Sequence, residues 1–207
     1  MIARLYAFMY DRIGRGSEAA GLQRERVALL AQARGNTVEI GAGTGLNLDH
    51  YPPTVTHLTL VEPDRHMRKR LRQRVAQIRP DAAVLDARAE SLPLPDASVD
   101  TVVVTFVLCS VADQNAALAE ITRVLRPGGQ LLFLEHVRDT DPQIADKQDH
   151  APFLYSWIGC HPNRATLEAI THSPLSVVNV RHGQVPKAPV IERPMVVGVA
   201  ESKEHTG

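Results

Sequence analysis

Glycines and a glutamate are the residues of this chain whose types and spacing first suggest chemistry. Gly41, Gly43 and Gly45 fall within five positions of VEIGAGTG, at the end of an apolar run, and Glu62 closes the next such run, HLTLVE. Lacking a Cβ, glycine tolerates positive φ and lets a ligand approach the backbone closely. A carboxylate at a strand end can accept hydrogen bonds from both hydroxyls of a ribose. Taken singly, the glycines read as a tight turn and Glu62 as a solvated strand end. A glycine loop after one strand and an acid after the next together point to a nucleoside-containing ligand at the carboxyl edge of a sheet. The spacing narrows the nucleoside. A dinucleotide fingerprint needs its third glycine at position 46, where this chain has Leu46, and a helix starting at the loop, which Asn47, Asp49, Tyr51, Pro52 and Pro53 disfavour. No Gly-Lys-Ser/Thr follows the glycines, which excludes a P-loop.

The elements that must hold these residues follow from hydrophobic period. Helical spacing runs to about Arg34, with Leu5, Phe8, Met9 and Ile13 on one face. Beyond it, TVEI, HLTLVE, AAVLDA, VDTVVVTFVL and GQLLFLEHV are strand-like, separated by helical stretches such as RHMRKRLRQRVAQI and ADQNAALAEITRVL. The unbroken apolar run TVVVTFVL suits a strand buried on both faces, so the alternation predicts an α/β, doubly wound, mostly parallel sheet. LSVVNVRHGQ and PMVVGVAES, separated by PKAP rather than by a helix, predict an antiparallel hairpin at the C-terminal edge. The segment from Asp139 to Pro152 is polar and poorly periodic, and reads as a mobile loop.

Composition bounds the function. With 207 residues the chain fits a single domain, and 23 basic against 23 acidic side chains advertise no nucleic-acid partner. Two cysteines, Cys109 and Cys160, are too few for a disulfide framework and suit free thiols in a reducing, cytoplasmic setting. Arg4, Asp11 and Arg12 interrupt the apolar start, so neither a membrane span nor a signal peptide is expected there.

Four motifs in order resemble the class I S-adenosylmethionine-dependent methyltransferases: VEIGAGTG, LVEPDRHMRKRL, RAESLPLPDASVDTVVV and ITRVLRPGGQLLFLEHV. The resemblance implies a Rossmann-like sheet of about seven strands closed by an antiparallel edge hairpin, in one methyltransferase domain. It implies a helical cap over residues 1–35, a cofactor-binding core over 36–137, an acceptor-side loop and helix over 138–172, and the hairpin over 173–202. It also implies S-adenosylmethionine as cofactor, with S-adenosylhomocysteine as product. By resemblance, Gly41, Ala42 and Gly43 pass against the amino-acid end of the cofactor, Glu39 stiffens that loop, and Glu62 holds the ribose. Pro63 and Met67 pack near the adenine, and Thr105 lies near the methionine moiety. Relatives carry an aspartate where this chain has Arg88, which cannot accept from an exocyclic amine, so the adenine edge falls to the backbone around Ala89 or to Asp86 or Glu90.

Finer resemblance, in FVLCSVADQ, EHV and GCHPNRATLEAI, is to the branch that methylates small thiols. The quinone-biosynthesis branch is also similar, but its glycine-arginine-asparagine segment after the fourth strand is lacking. The acceptor is therefore expected to be small and fairly apolar, a thiol before a quinol, phenol or amine. A non-catalytic sensor or assembly domain is the alternative. The short N-terminal apolar run implies no stable membrane insertion, and the oligomeric state is left open. His136, at the end of the fifth strand, is the candidate general base for a thiol, or else a strand-end hydrogen-bonding group. Tyr10 and Asp11 are placed at the pocket's cover, and Phe153 and Trp157 in the acceptor pocket. No Cys-x-x-Cys or His-x-x-x-His spacing accompanies Cys160 and His161, so no metal is expected.

Overall fold

The computed structural model describes residues 14–151 and 159–203. A kinked helical turn, Glu18–Leu22 with Gly21 at φ 134°, leads into α1 (Gln23–Leu30). There follow β1 (Gly35–Ile40), β2 (Val55–Val61), α2 (Arg65–Ile78), β3 (Ala83–Leu85), β4 (Val99–Thr105), α3 (Gln114–Val124) and β5 (Leu125–His136). The chain then forms α4 (Pro142–Asp149), α5 (Thr166–His172), β6 (Leu175–Gln184) and β7 (Pro194–Ser202). The seven strands make one sheet in the order β3-β2-β1-β4-β5-β7-β6. All neighbours are parallel except β7, which runs against both β5 and β6. The expected doubly wound sheet and its edge hairpin are both present.

Strand pleat sorts the core into two layers. Val102 and Val104 of β4 pack with Ala117, Leu118 and Ile121 of α3 and Ile170 of α5, whereas Val103 packs with Leu29 and Leu30 of α1 and Leu71 and Val75 of α2. Side chains one apart point to opposite faces, so the unbroken valine run feeds both layers. The helices start where short polar side chains cap them: Asp64 accepts from the amides of His66 and Met67, and Asp113 from those of Asn115 and Ala116. Among the described residues no helix is long and apolar enough to cross a membrane.

One expectation is corrected. The polar stretch after β5 is not a loop throughout, because residues 142–149 form α4. Asp141 caps it by accepting from the Gln143 amide at 2.8 Å, and Pro142 occupies the first turn, where its missing N–H is harmless. Gln148 is fully buried and anchors the helix: its amide donates towards the carbonyls of Val137, Pro162 and Ile191 at 3.2, 3.1 and 2.9 Å, and its oxygen accepts from Asp139 N–H at 2.8 Å.

Candidate active site

β1 and β4 are neighbours whose following connections go to opposite faces, and at such a switch point a crevice opens beyond the carboxyl ends of the strands. The cavity found there has a volume of about 390 Å³. Its walls include Gly41, Gly43, Glu62, Pro63, Met67, Arg88, Ala89 and Glu90, so the fold brings the glycine loop, the acid and the adenine-side candidates together. Glu62 is held from three sides. One carboxylate oxygen accepts from Gly43 N–H and the other from Asp64 N–H, each at 2.8 Å. Arg68 reaches from α2 to donate to the Glu62 and Pro63 carbonyls at 2.6 and 2.9 Å. Burial raises the Glu62 pKa, while the two N–H donors oppose it. Each oxygen keeps a second lone pair for a ligand hydroxyl.

The three glycines divide by role. Gly43, at φ 58°, turns its N–H onto Glu62. At Gly41, φ 67°, a Cβ would lie 2.5 Å from Cγ2 of Val107, so packing as well as ligand access demands glycine there. Gly45 is closed by Leu48 and Leu71 in the same way.

Glu39 stands wholly buried behind the loop. Tyr51 O–H donates to it at 2.7 Å and Asn47 Nδ2 at 2.8 Å, and Asn47 also donates to Thr105 at 3.2 Å. Burial raises the Glu39 pKa to about 7 against the pull of those two donors and of Arg26. Glu39, Ala42, Thr105 and Arg26 line a small recess of about 20 Å³ beside the main cavity. The buried Arg26 pairs with Glu18 at 2.9 Å, donates to Asn47 at 3.2 Å and lies 5.6 Å over the Phe106 ring. Sequence reading missed Arg26 and Arg68, whose partners come from other elements.

On the adenine side, Glu90 accepts from Ala112 and Asp113 N–H at 2.9 and 3.3 Å, and Arg88 approaches it at 3.7 Å. Asp86 is bound by Arg68 at 2.5 Å and is not among the lining residues. Ala89 and Glu90 therefore remain the candidates for the adenine edge.

A second cavity, of about 440 Å³, shares Phe106 and Ser110 with the first and is further lined by Leu22, Arg26, His136, Cys160, Val185 and Ala188. His136 packs its ring on Phe106, with centroids 4.4 Å apart, and turns Nδ1 towards the thiols of Cys160 and Cys109 at 3.3 and 3.7 Å. A role as base therefore falls to Nε2. The Cys109 sulfur lies 3.5 Å from that of Cys160. That contact and burial raise its pKa well above the usual thiol value, so it stays protonated. Tyr10, Asp11, Phe153 and Trp157 lie outside the described residues.

The reversal of β7 against β5 separates this sheet from an all-parallel dinucleotide frame, and the cavity at the β1–β4 switch point is lined by the glycine loop and the acid singled out in the sequence. The chain belongs to the class I S-adenosylmethionine-dependent methyltransferases. Residues 38–133 match the family described as methyltransferase domain. The chain is similar to human thiol S-methyltransferase TMT1A, 34% identical over an alignment of 173 positions that covers 79% of this chain and 69% of that relative. It is also similar to phosphatidylethanolamine N-methyltransferase of Cereibacter sphaeroides, 33% identical over 89% of this chain and 87% of the relative. In fold it is similar to the methyltransferase solved in complex with the Trm112 methyltransferase activator of Haloferax volcanii, with a TM-score of 0.72 over 98% of each chain at 18% identity.

Proposed function

We propose that this chain transfers the methyl group of S-adenosylmethionine to the sulfur of a small, fairly apolar thiol. The observation that carries the reading is the pair of cavities sharing Phe106 and Ser110, one fit for a nucleoside and the other for an acceptor. The residues present fit the cofactor. Glu62 retains acceptor capacity for a ribose, Met67 and Ala89 offer an apolar slot, and the recess at Glu39 and Thr105 supplies polar partners for an amino-acid end. When bound, S-adenosylmethionine supplies a methyl group already made electrophilic by its sulfonium. The chain's own part is to hold the acceptor in line and to exclude water, which can contribute several kcal/mol without an elaborate catalytic set. Leu22, Val185 and Ala188 give the second cavity an apolar wall, and His136 faces the acceptor from beside Phe106.

The thiol is favoured by the similarity to human TMT1A, and an amine is the second reading because the phosphatidylethanolamine N-methyltransferase is similar over more of the chain. The reading includes a cytoplasmic location, supported by two free thiols, and no partner beyond the small-molecule acceptor: no nucleic acid and no stable membrane insertion. It is tested by following tritiated methyl transfer to a panel of thiols, phenols, quinols and amines. Label in a thioether is the expected result. Cofactor binding with no labelled product from any acceptor would point instead to a sensor or assembly domain.

A further inference from the structure

Cys109 in the loop after β4, His136 at the end of β5 and Cys160 before α5 come from distant parts of the sequence. Their ligand atoms form a tight triangle: Sγ to Sγ 3.5 Å, Cys160 Sγ to His136 Nδ1 3.3 Å, and Cys109 Sγ to His136 Nδ1 3.7 Å. A zinc ion with bonds of about 2.3 Å to sulfur and about 2.0 Å to nitrogen has tetrahedral edges of roughly 3.8 Å between sulfurs and roughly 3.5 Å from sulfur to nitrogen. The triangle therefore lies within a few tenths of an ångström of a zinc-ready set. A disulfide, at about 2.0 Å, would require the sulfurs to close by roughly 1.5 Å.

The triangle is also held in place. Glu135 is buried and accepts from the N–H groups of Val107, Leu108 and Cys109 at 2.8, 3.0 and 3.1 Å, which fixes the loop that carries Cys109. His161 N–H donates to the Cys109 carbonyl at 2.8 Å, tying the residue next to Cys160 to that loop. Cys109 is fully buried, whereas His136 and Cys160 face the acceptor cavity. Three protein donors with a fourth position open to a substrate cavity is the arrangement of a catalytic zinc site, and an imidazole with two cysteines, whose thiol protons pass to solvent as the metal–sulfur bonds form, suits a thiophilic divalent ion.

We propose that Cys109, His136 and Cys160 bind a single zinc ion whose fourth position takes the sulfur of the acceptor. The catalytic half of this inference rests on the thiol reading above. An acceptor thiol entering that position forms a sulfur–metal bond and releases its proton to solvent, giving a thiolate at neutral pH. Its lone pair then forms a bond to the methyl carbon as the sulfonium's methyl–sulfur bond breaks, the electron pair staying on S-adenosylhomocysteine. The neutral thioether is a weaker ligand and leaves. His136 serves here as a ligand through Nδ1, which the geometry already turns towards the sulfurs.

The test uses the full chain, stripped with a chelator and titrated with zinc chloride alone, then with cobalt(II) as a spectroscopic substitute. The wild type takes up about one zinc per chain, and Cys109→Ser/Cys160→Ser weakens zinc binding by more than roughly 100-fold. His136→Ala weakens it as well, and S-adenosylhomocysteine binding, followed by calorimetry, shows that the variants are folded. The cobalt(II) protein shows thiolate-to-metal charge-transfer absorption that shifts when a small apolar thiol is added without cofactor. A wild type that binds S-adenosylhomocysteine but no zinc overturns the site, as does a zinc affinity unchanged by the cysteine substitutions. Zinc uptake without methylation of any thiol supports the site and defeats the thiol reading. Undiminished thiol methylation by metal-free enzyme does the reverse, leaving the thiol reading and removing the ion from it.

Discussion

Glu39 shows how one residue can serve a site at a cost to the fold. It is buried behind the glycine loop, two donors hold it, and its pKa still rises from 4.5 to about 7. Between those values the folded chain keeps a proton that the unfolded chain has lost, so stability present below pH 4.5 drains away as pH rises towards 7. The penalty is about 3 kcal/mol at most. Denaturant unfolding of wild type and Glu39→Gln at pH 4.5 and pH 8 checks this, since the difference between them should move in the variant's favour by up to about that amount. A pH-independent difference would contradict it. The glycines allow a sharper contrast within one motif. Gly43→Val, although strained at φ 58°, should be felt chiefly at the site, weakening S-adenosylhomocysteine binding by at least roughly 100-fold, about 2.7 kcal/mol. Gly41→Ala should instead destabilise the chain by about 1–3 kcal/mol, because its Cβ meets Val107. Calorimetry and thermal melts on both variants separate the two effects.

At the scale of elements, the parts legible in sequence were those whose signal is local. A valine run buried on both faces, helical stretches between strand-like runs, a glycine loop and an acid at a strand end each announce themselves within a few residues. α4 did not, although Asp141 and Pro142 carry the signature of a helix start. Its eight residues bury only Ala145 and Gln148, too little to print a helical period. Arg26, Arg68 and the Cys109–His136–Cys160 triangle were illegible for a different reason: each acquires its role from another element, and spacing along the chain carries no trace of that. Gln148 makes the element-scale account testable. Gln148→Leu would strand the Asp139 N–H and the carbonyls that the amide serves, costing about 2–4 kcal/mol. Because α4 braces the Pro162 stretch beyond Cys160 rather than the glycine loop, the melting temperature should fall while S-adenosylhomocysteine affinity holds. An affinity loss as large as that of Gly43→Val would place α4 in the cofactor site and contradict the division drawn here.

The whole molecule is a sheet whose order reverses between β1 and β4 and whose last strand runs backwards beside β5. The order reversal opens the cavity lined by the glycine loop and Glu62. β5, which β7 flanks, ends at His136, in the wall of the second cavity. The two cavities share a wall at Phe106 and Ser110, where the proposed methyl transfer would cross. The central claim is that the methyl group crosses that wall to a sulfur. The most direct measurement gives the enzyme deuterated-methyl S-adenosylmethionine and an equimolar mixture of a small apolar thiol and the amine with the same hydrocarbon, and reads the products by mass spectrometry. The account predicts deuterated thioether in excess over methylated amine, with neither formed by Gly43→Val. Methylated amine as the main product, or no labelled product from an enzyme that binds S-adenosylhomocysteine, would contradict it.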